Sequence, residues 1–380
     1  MPTEKLPEIL GYRRPDGHIG IRNHVAIIYT TNCSKVVASS LHDRFPVGTQ
    51  LFGYPEGCSY RDAPVEKIVA MAQHTSYAAV LVVGLGCEGT DAGDLARRIE
   101  ESGQTAESVT IQREGGDLRT IERGSRILAS LLQQASLARR EPIPVSDLVV
   151  GAECGGSDAT SGLVANPLVG RVADRLIDEG GTYMHTEPHE LMGCDDVLAA
   201  RAVDESVARD ARAAIEEAER ESFEAGLFHI GFGNTEGGLT TIEEKSYGCL
   251  AKSGSRPLRG VLRGYGRPPV GGYYLQVAPP GSQTYYGDSE DISQFAACGA
   301  HLAFFTTGCG ATTGGLLPVI KVMANPGRMD LIRDNVDFDA TPITRGERTL
   351  DEMADELYAE MIAVAAGKLT KSEIYRHFEA

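Results

Sequence analysis

No segment of the 380-residue chain approaches the ~20 consecutive apolar residues of a membrane-spanning helix. The opening residues, MPTEKLPEIL, lack the charged-then-apolar plan of a signal peptide, so a cytoplasmic location is expected. Basic residues are the scarce charge: 36 Lys and Arg stand against 53 Asp and Glu, a net charge of -17. Such a balance repels phosphate backbones and anionic lipid, which argues against nucleic-acid and membrane partners. It leaves a small anionic substrate open, because the field inside a site is set locally. Internal repeats of fixed period and low-complexity segments are also missing.

A disulfide framework is not expected either, although the chain has eight cysteines. Six of them, Cys58, Cys87, Cys154, Cys194, Cys249 and Cys309, sit beside or near glycines. Cys298, in FAACGAH, looks like an ordinary buried thiol, and Cys33, in TTNCSK, is ambiguous.

The length favours two domains, and 42% hydrophobic residues is ordinary for a globular protein. A hairpin with an Asp16-Gly17 turn opens the chain. Then follow a helix near 35–43, an apolar strand AAVLVVGL, a helix near 92–102, a short strand SVTIQ and a helix near 118–136. This rhythm predicts an α/β fold of two domains, with mainly parallel, Rossmann-like open sheets flanked by helices. The charged, Pro-containing join at 137–147 divides an N-terminal α/β domain, 1–140, from a C-terminal one, 141–380, that carries most of the active-site loops. Six further strands are expected in the second domain: DLVVGAE, GTYMHTE, GVLRGY, GYYLQVA, AHLAFFTTG and PVIKVMA. Its long helix, 199–225, shows a stripe of Val203, Val207, Ala211 and Ile215. The last helix starts on a Thr349–Glu352 capping box and stops at Gly367.

Ligands in open α/β sheets gather where strands end. GLGCEG matches the dinucleotide pattern through Gly84, Gly86 and Gly89, but Cys87-Glu88 would bring a carboxylate against a pyrophosphate. ECGGSDATSG places Cys154, Gly155, Gly156, Ser157 and Asp158 in one turn. Asn166 is expected to cap the next helix, with Pro167 as its first residue, so that the helix start favours an anion. HTEPHELMGCDD gathers His185, Glu187, His189, Glu190, Cys194 and Asp195, a group suited to metal or proton chemistry. FFTTGCG carries Thr307 and Cys309, and Lys321 follows in an otherwise apolar strand, where it is either a snorkelling edge residue or a desolvated charge partner. Thr240, Thr241 and Lys245 lie near glycines in GNTEGGLTTIEEKSYG, which reads equally as an amphipathic helix.

GYRRPDGHIGIRN, GLGCEG, ECGGSDATSGLVANPLVG, GNTEGGLTTIEEKSYG, FFTTGCG and PVIKVMAN together resemble the altronate and galactarate dehydratase family, in that family's order and over nearly the whole chain. The resemblance implies a lyase that removes water from a 2-hydroxy acid, such as a sugar acid, to leave a 2-keto acid. In the split branch that includes the sulfolactate sulfo-lyase large subunit, it implies loss of sulfite. It further implies a divalent metal, commonly iron, and a small partner subunit equivalent to the N-terminal domain of fused members. An oligomer of unspecified number is also expected. Three departures stand out: Cys309 where the family has Arg, Cys194 where it often has Glu, and His18 in place of Arg.

The chemistry needs a cation or donors against the developing enolate, a base for the α-proton, and an acid or metal for the leaving group. Cys154, Cys194 and Cys309, with Glu187 and His189 nearby, are the candidate metal ligands, for one iron or for an iron–sulfur cluster. Lys245, Lys321, His185 and His189 are candidate bases, and Ser157 and Asp158 orienting groups. Gly155, Gly156, Asn166, Thr240, Thr241 and Thr307 are candidates for holding substrate. A nicotinamide-dependent oxidoreductase and a non-catalytic subunit are the competing readings.

Overall fold

The computed structural model describes residues 6–54, 58, 63–224, 226, 234–279 and 287–378. Two positions named above, Ala225 at the end of the long helix and Gly233 of GNTEGG, lie outside them. The chain divides into two compact units. One comprises the segment up to Ile9, Ile143–Phe295 and Ala300–His377; the other comprises Leu10–Pro142 with Ala296–Gly299 and Phe378.

In the Leu10–Pro142 unit, β1 (Leu10–Arg13) pairs antiparallel with β2 (Ile19–Gly20) across the Asp16-Gly17 turn, and with β7 (Glu141–Pro142). Its main sheet contains β3 (His24–Tyr29), β4 (Thr49–Gly53), β5 (Tyr77–Gly84) and β6 (Ala106–Thr110), all parallel, in the order β4-β3-β5-β6. Alternate residues Val25 and Ile27 of β3, and Leu81 and Val83 of β5, pack on Val37, Leu41, Leu128 and Leu131 of the covering helices. Each fully buried side chain of this kind contributes about 1.5–3 kcal/mol.

The larger unit contains β8 (Val149–Cys154), β9 (Thr182–His185), β10 (Leu258–Arg263), β11 (Gly272–Val277), β12 (Leu302–Thr307), β13 (Val319–Met323) and β14 (Phe338–Asp339). They form one parallel sheet in the order β10-β11-β9-β8-β12-β13-β14. The central strands β11, β12 and β13 are buried along their whole length, and β8 in all but its first residue, as expected of a sheet covered on both faces. The chain leaves β8 toward β9 on one side and later returns as β12 on the other. Strand order therefore reverses at β8/β12, and a crevice is expected at their carboxyl ends.

Two local expectations are corrected. Asn166 does not cap its helix: a wide turn, Ser161–Ala165, runs directly into Asn166–Asp178, and the Asp158 carboxylate accepts the Ser161 N–H at 2.9 Å. Asn166 instead bridges neighbours, accepting from Thr306 Oγ1 and donating to the Gly248 carbonyl at 2.8 Å. The long helix is Glu205–Glu224, capped by Asp204, whose carboxylate accepts from the Ser206 and Val207 N–H groups. Val203 precedes it and is exposed; the buried face is Ala208, Ala211, Ala214, Ile215 and Ala218. The helix Leu350–Ala365 has the expected Thr349–Glu352 capping box, but it is not the last: a short helix, Lys371–Tyr375, follows with a capping box of its own.

Candidate active site

The carboxyl end of β8 places Glu153 and Cys154 at the strand-order reversal, and both are buried. The turn that follows is held by backbone pairing with β12. Gly155 N–H donates to the Thr306 carbonyl, and the Gly308 and Cys309 N–H groups donate to the Gly156 carbonyl, each at 3.0 Å. Thr307 Oγ1 donates to the same Gly156 carbonyl at 3.3 Å and accepts from Gly310 N–H at 2.9 Å. A side chain at Gly155 would put its Cβ 2.6 Å from the Phe305 ring, so glycine is needed for the sharp bend. At Gly308 a Cβ would run into the Asp158 carboxylate.

Glu187 comes from the segment after β9. Its backbone is left-handed, with φ +67°, although it is not glycine. Such a conformation costs on the order of 1–3 kcal/mol and persists only where surrounding contacts enforce it. Here those contacts turn the carboxylate into the buried cluster. The short helical segment Pro188–Leu191 then presents Glu190.

The helix Ile242–Ala251 supplies the cations. Its start is secured by a capping box between Thr241 and Glu244, and Thr240 Oγ1 donates to the same Glu244 carboxylate at 3.0 Å. Thr240 and Thr241 are thus exposed residues spent on holding the helix. Lys245, Cys249 and Lys252 follow at i, i+4 and i+7, one face of the helix and its cap. Lys252 Nζ donates to Cys154 Sγ at 2.9 Å and to Glu187 Oε2 at 2.7 Å. Lys245 Nζ lies 2.9 Å from Glu190 Oε1, 2.8 Å from Ser157 Oγ and 3.5 Å from Cys154 Sγ. Cys154 Sγ is also 3.1 Å from Glu190 Oε2.

The charge states follow from these contacts. The Cys249 thiol hydrogen-bonds to Cys154 and, against burial, joins Lys245 and Lys252 in holding Cys154 well below the usual thiol range. Burial, the hydrogen bond to Cys154 and that sulfur's charge push Cys249 up. Burial works to raise Glu187, yet Lys252 and Lys245 hold it well below the carboxylate range. Burial, then the charges of Cys154 and Glu187, push Glu190 up. Glu153 is raised by burial and by Glu187 and Asp291, and Asp291 by burial, Glu187 and Glu290. Both lysines remain cationic: burial disfavours their charge, but Cys154 and the surrounding acids more than offset it.

Two groups of described residues bring metal-ligating atoms within 4.8 Å of one another: Cys154, Glu187, Glu190 and Cys249, and Glu153, Glu187 and Asp291. The second fits a cation on a further observation. Both Glu153 carboxylate oxygens are buried without a hydrogen-bond partner among the described residues, and a buried orphan carboxylate is costly unless something compensates it.

Of the residues named from the sequence, Cys154, Glu187, Ser157 and Lys245 converge here. His189 borders the cluster; burial and the two lysines bring it down to about 4 despite Glu187. His185 is buried and stacked on Tyr273, with Nδ1 2.8 Å from the Tyr273 hydroxyl. Burial and Lys252 bring it down to about 3, so it is neutral. Asp158 accepts from Thr160 and Ser161 and from Asn325, beside Gly308.

The expected trio of Cys154, Cys194 and Cys309 is not assembled. Cys154 meets Cys249. Cys194 precedes the helix Asp195–Ala199, where burial and Asp195 push its thiol up to about 11. Cys309 lies beside Gly156, its thiol raised by burial. Lys321 is buried on β13, where its N–H donates to Asp337 and its charge acts on the same carboxylate. Glu153, Lys252, Asp288 and Asp291 were not singled out from the sequence, and Cys249 was named only among the cysteines near glycines. For Cys249 and Lys252 a signal existed, the helical spacing from Lys245; for Glu153, and for Asp288 and Asp291 on the helix Asp288–Ala297, there was none.

The GLGCEG turn ends β5 as expected, but its donors are already used. Glu88 accepts from Leu85 N–H, Gly86 N–H and Thr30 Oγ1, so the loop binds its own carboxylate where a dinucleotide phosphate would sit. No helix among the described residues is long and apolar enough to cross a membrane.

Residues 145–380 match the D-galactarate/altronate dehydratase C-terminal family, and residues 11–136 match the D-galactarate dehydratase/altronate hydrolase second domain. The chain is 33% identical to the (2R)-sulfolactate sulfo-lyase subunit beta of Chromohalobacter salexigens, over 97% of this chain and 95% of that one. It is 31% identical to the altronate dehydratase of Escherichia coli, over 96% of this chain and 75% of that one. It is also 31% identical to the galactarate dehydratase (L-threo-forming) of Escherichia coli, over 94% and 72% of the two chains. With a catalytic-type cluster at its strand-order reversal and relatives named for elimination reactions, the chain belongs to the D-galactarate/altronate dehydratase family of lyases.

Proposed function

We propose that the protein eliminates water or sulfite from a small 2-hydroxy acid by metal-assisted β-elimination, with Cys154, Lys245, Lys252 and Glu190 as the working groups. The observation that carries the reading is the buried Cys154 sulfur held between two lysines and an acid, next to a carboxylate triad with orphaned oxygens. The triad, Glu153, Glu187 and Asp291, would hold a divalent metal, and an oxygen-donor set suits iron(II), manganese(II) or magnesium. When bound, the metal supplies Lewis-acid polarisation of the substrate's oxygens.

The remaining steps belong to the chain's own side chains. Lys245 and Lys252 present Nζ donors to the substrate carboxylate, where charge develops as the α-proton leaves. Cys154 Sγ accepts that proton, since its thiolate is favoured by the neighbouring cations. Glu190, which keeps its proton through burial and like charge, gives it to the departing group. The resulting enol becomes the 2-keto acid. Ser157 Oγ, held by Lys245, orients the substrate beside the Gly155-Gly156 turn.

A partner subunit is part of the reading. The sulfo-lyase relative is named as a subunit and is covered over 95% of its length, while the dehydratases are covered over 75% and 72% of theirs. A cytoplasmic setting agrees with eight free thiols among the described residues, four of them buried.

The test is turnover of altronate, galactarate and (2R)-sulfolactate by the protein purified without oxygen, with its partner subunit and iron(II) present. Keto acid and sulfite are measured as products. One substrate is expected to turn over, and Cys154→Ala is expected to reduce kcat by ~10²–10⁴ fold, the usual worth of a positioned proton acceptor. Equal turnover by the variant would leave this chain a scaffold, not the catalytic part.

A further inference from the structure

The Leu10–Pro142 unit has its own strand-order reversal, between β3 and β5, and the elimination chemistry leaves its carboxyl edge unused. Each of three adjacent strands delivers one cysteine there. Cys33 lies in the first turn of the helix Asn32–Arg44 after β3, Cys58 follows β4, and Cys87 sits in the turn after β5. They are the only cysteines between Leu10 and Pro142, and all three are exposed. Cysteine is among the most buried residue types, so exposed thiols gathered on one edge are not what packing alone produces. The carboxyl edge at a strand-order reversal is the place where open α/β sheets bind ligands.

Side-chain contacts tie the three loops together. Thr31 Oγ1 lies 3.3 Å from Cys58 Sγ, which joins the β3 and β4 loops. Thr30 Oγ1 donates to Glu88 Oε1 at 2.7 Å, which joins the β3 and β5 loops. Glu88 also takes the Leu85 and Gly86 N–H groups, and Gly86 has φ +120°, so the turn that carries Cys87 is held in one shape. The 13-residue helix Asn32–Arg44 begins without a side-chain cap and with no acid in its first turn.

We propose that Cys33, Cys58 and Cys87 form a three-thiolate site for an iron–sulfur cluster, separate from the metal site at Glu153, Glu187 and Asp291. The three sulfurs are not among the described groups whose ligand atoms lie within 4.8 Å of one another. The donor shell of one ion therefore does not fit them, whereas a polynuclear cluster takes thiolates that stand farther apart. On assembly each thiol releases its proton to solvent, and iron and sulfide are taken up together. Three protein ligands leave one cluster position for a small molecule.

The experiment is anaerobic reconstitution of the full chain with ferrous iron and sulfide, read as iron and acid-labile sulfide per chain and by visible absorption. Wild type and Cys154→Ser are expected to hold iron with matching sulfide, and the combined C33S, C58S and C87S variant to lose the sulfide and the visible band. Because these side chains are exposed, the variant should keep its far-ultraviolet circular dichroism; the three single variants, each expected to lose at least half of the sulfide, serve if it does not. Absence of sulfide from wild type overturns the proposal. So does equal sulfide in the combined variant, or a single ion held by the three thiols without sulfide. None of these outcomes bears on the Cys154 chemistry, which is read by turnover and by metal bound without sulfide.

Discussion

Both units hang polar chemistry on the carboxyl edge of a parallel sheet where strand order reverses, yet they place their thiols in opposite surroundings. At the end of β8, Cys154 is buried with two lysines and several acids. At the ends of β3, β4 and β5, Cys33, Cys58 and Cys87 face solvent. The difference teaches that the edge supplies position and that burial decides which groups keep their protons. In the buried cluster every charge acts strongly on its neighbours, because little water screens it, so protons are allotted by geometry. At the exposed edge the thiols are available as ligands, and only the loop contacts through Thr30, Thr31 and Glu88 organise them.

The comparison breaks most visibly at Lys252. It is fully buried and bonded to both Cys154 and Glu187. Lys252→Met leaves two anionic groups buried without their cation, and removal of one partner from a buried pair typically costs about 3–5 kcal/mol. Denaturant unfolding is expected to show that loss, together with loss of turnover. An unchanged midpoint would mean that the cluster is hydrated and the contrast in burial is false.

The thiols themselves sharpen the comparison. In metal-free protein, alkylation followed by peptide mapping is expected to label Cys33, Cys58 and Cys87 at least ~100-fold faster than Cys154 and Cys249, because access gates reactivity whatever the thiolate fraction. Cys194, buried and pushed up to about 11, is expected among the slow group. Fast labelling of Cys154 would place it in open solvent.

A smaller effect concerns pH. Burial, then the charges of Glu187 and Cys154, push the Asp288 carboxyl up to about 6. The folded state then keeps a proton that the unfolded chain has already lost, so this group's contribution makes stability fall as pH rises from about 4 to about 6. Asp288→Asn is expected to flatten that slope, by on the order of 1 kcal/mol over the window. A slope unchanged by the substitution would assign it to other acids.

Much of this was legible in the residues. The parallel α/β architecture follows from apolar runs alternating with amphipathic stretches, and the six strands expected in the second domain are all present, with ends shifted by no more than two residues. The turn after β8 announced itself because Gly155 and Gly156 flank reactive side chains. Less legible was which residues meet across the sheet. Cys194 looked equivalent to Cys154 in sequence, but the left-handed bend at Glu187 brings in Glu187 and Glu190 instead. Lys321 looked like a candidate base, but its strand sets it against Asp337. Glu153 was hidden because one acid beside a cysteine in an apolar run carries no pattern of its own. Its role depends on Asp291, 138 positions later in the numbering, and only the fold joins them.

The proposed role of Glu153, Glu187 and Asp291 is to hold a divalent metal beside Cys154. Titration of metal-free protein with manganese(II), followed by electron paramagnetic resonance of the free ion, tests it most directly, because this ion suits carboxylates and not the exposed thiols. One ion per chain is expected for wild type, with affinity lowered at least ~10–100 fold in Glu153→Gln, a change as large as that from losing even an outer-shell partner. Equal affinity in the variant, with its fold intact, would contradict the account.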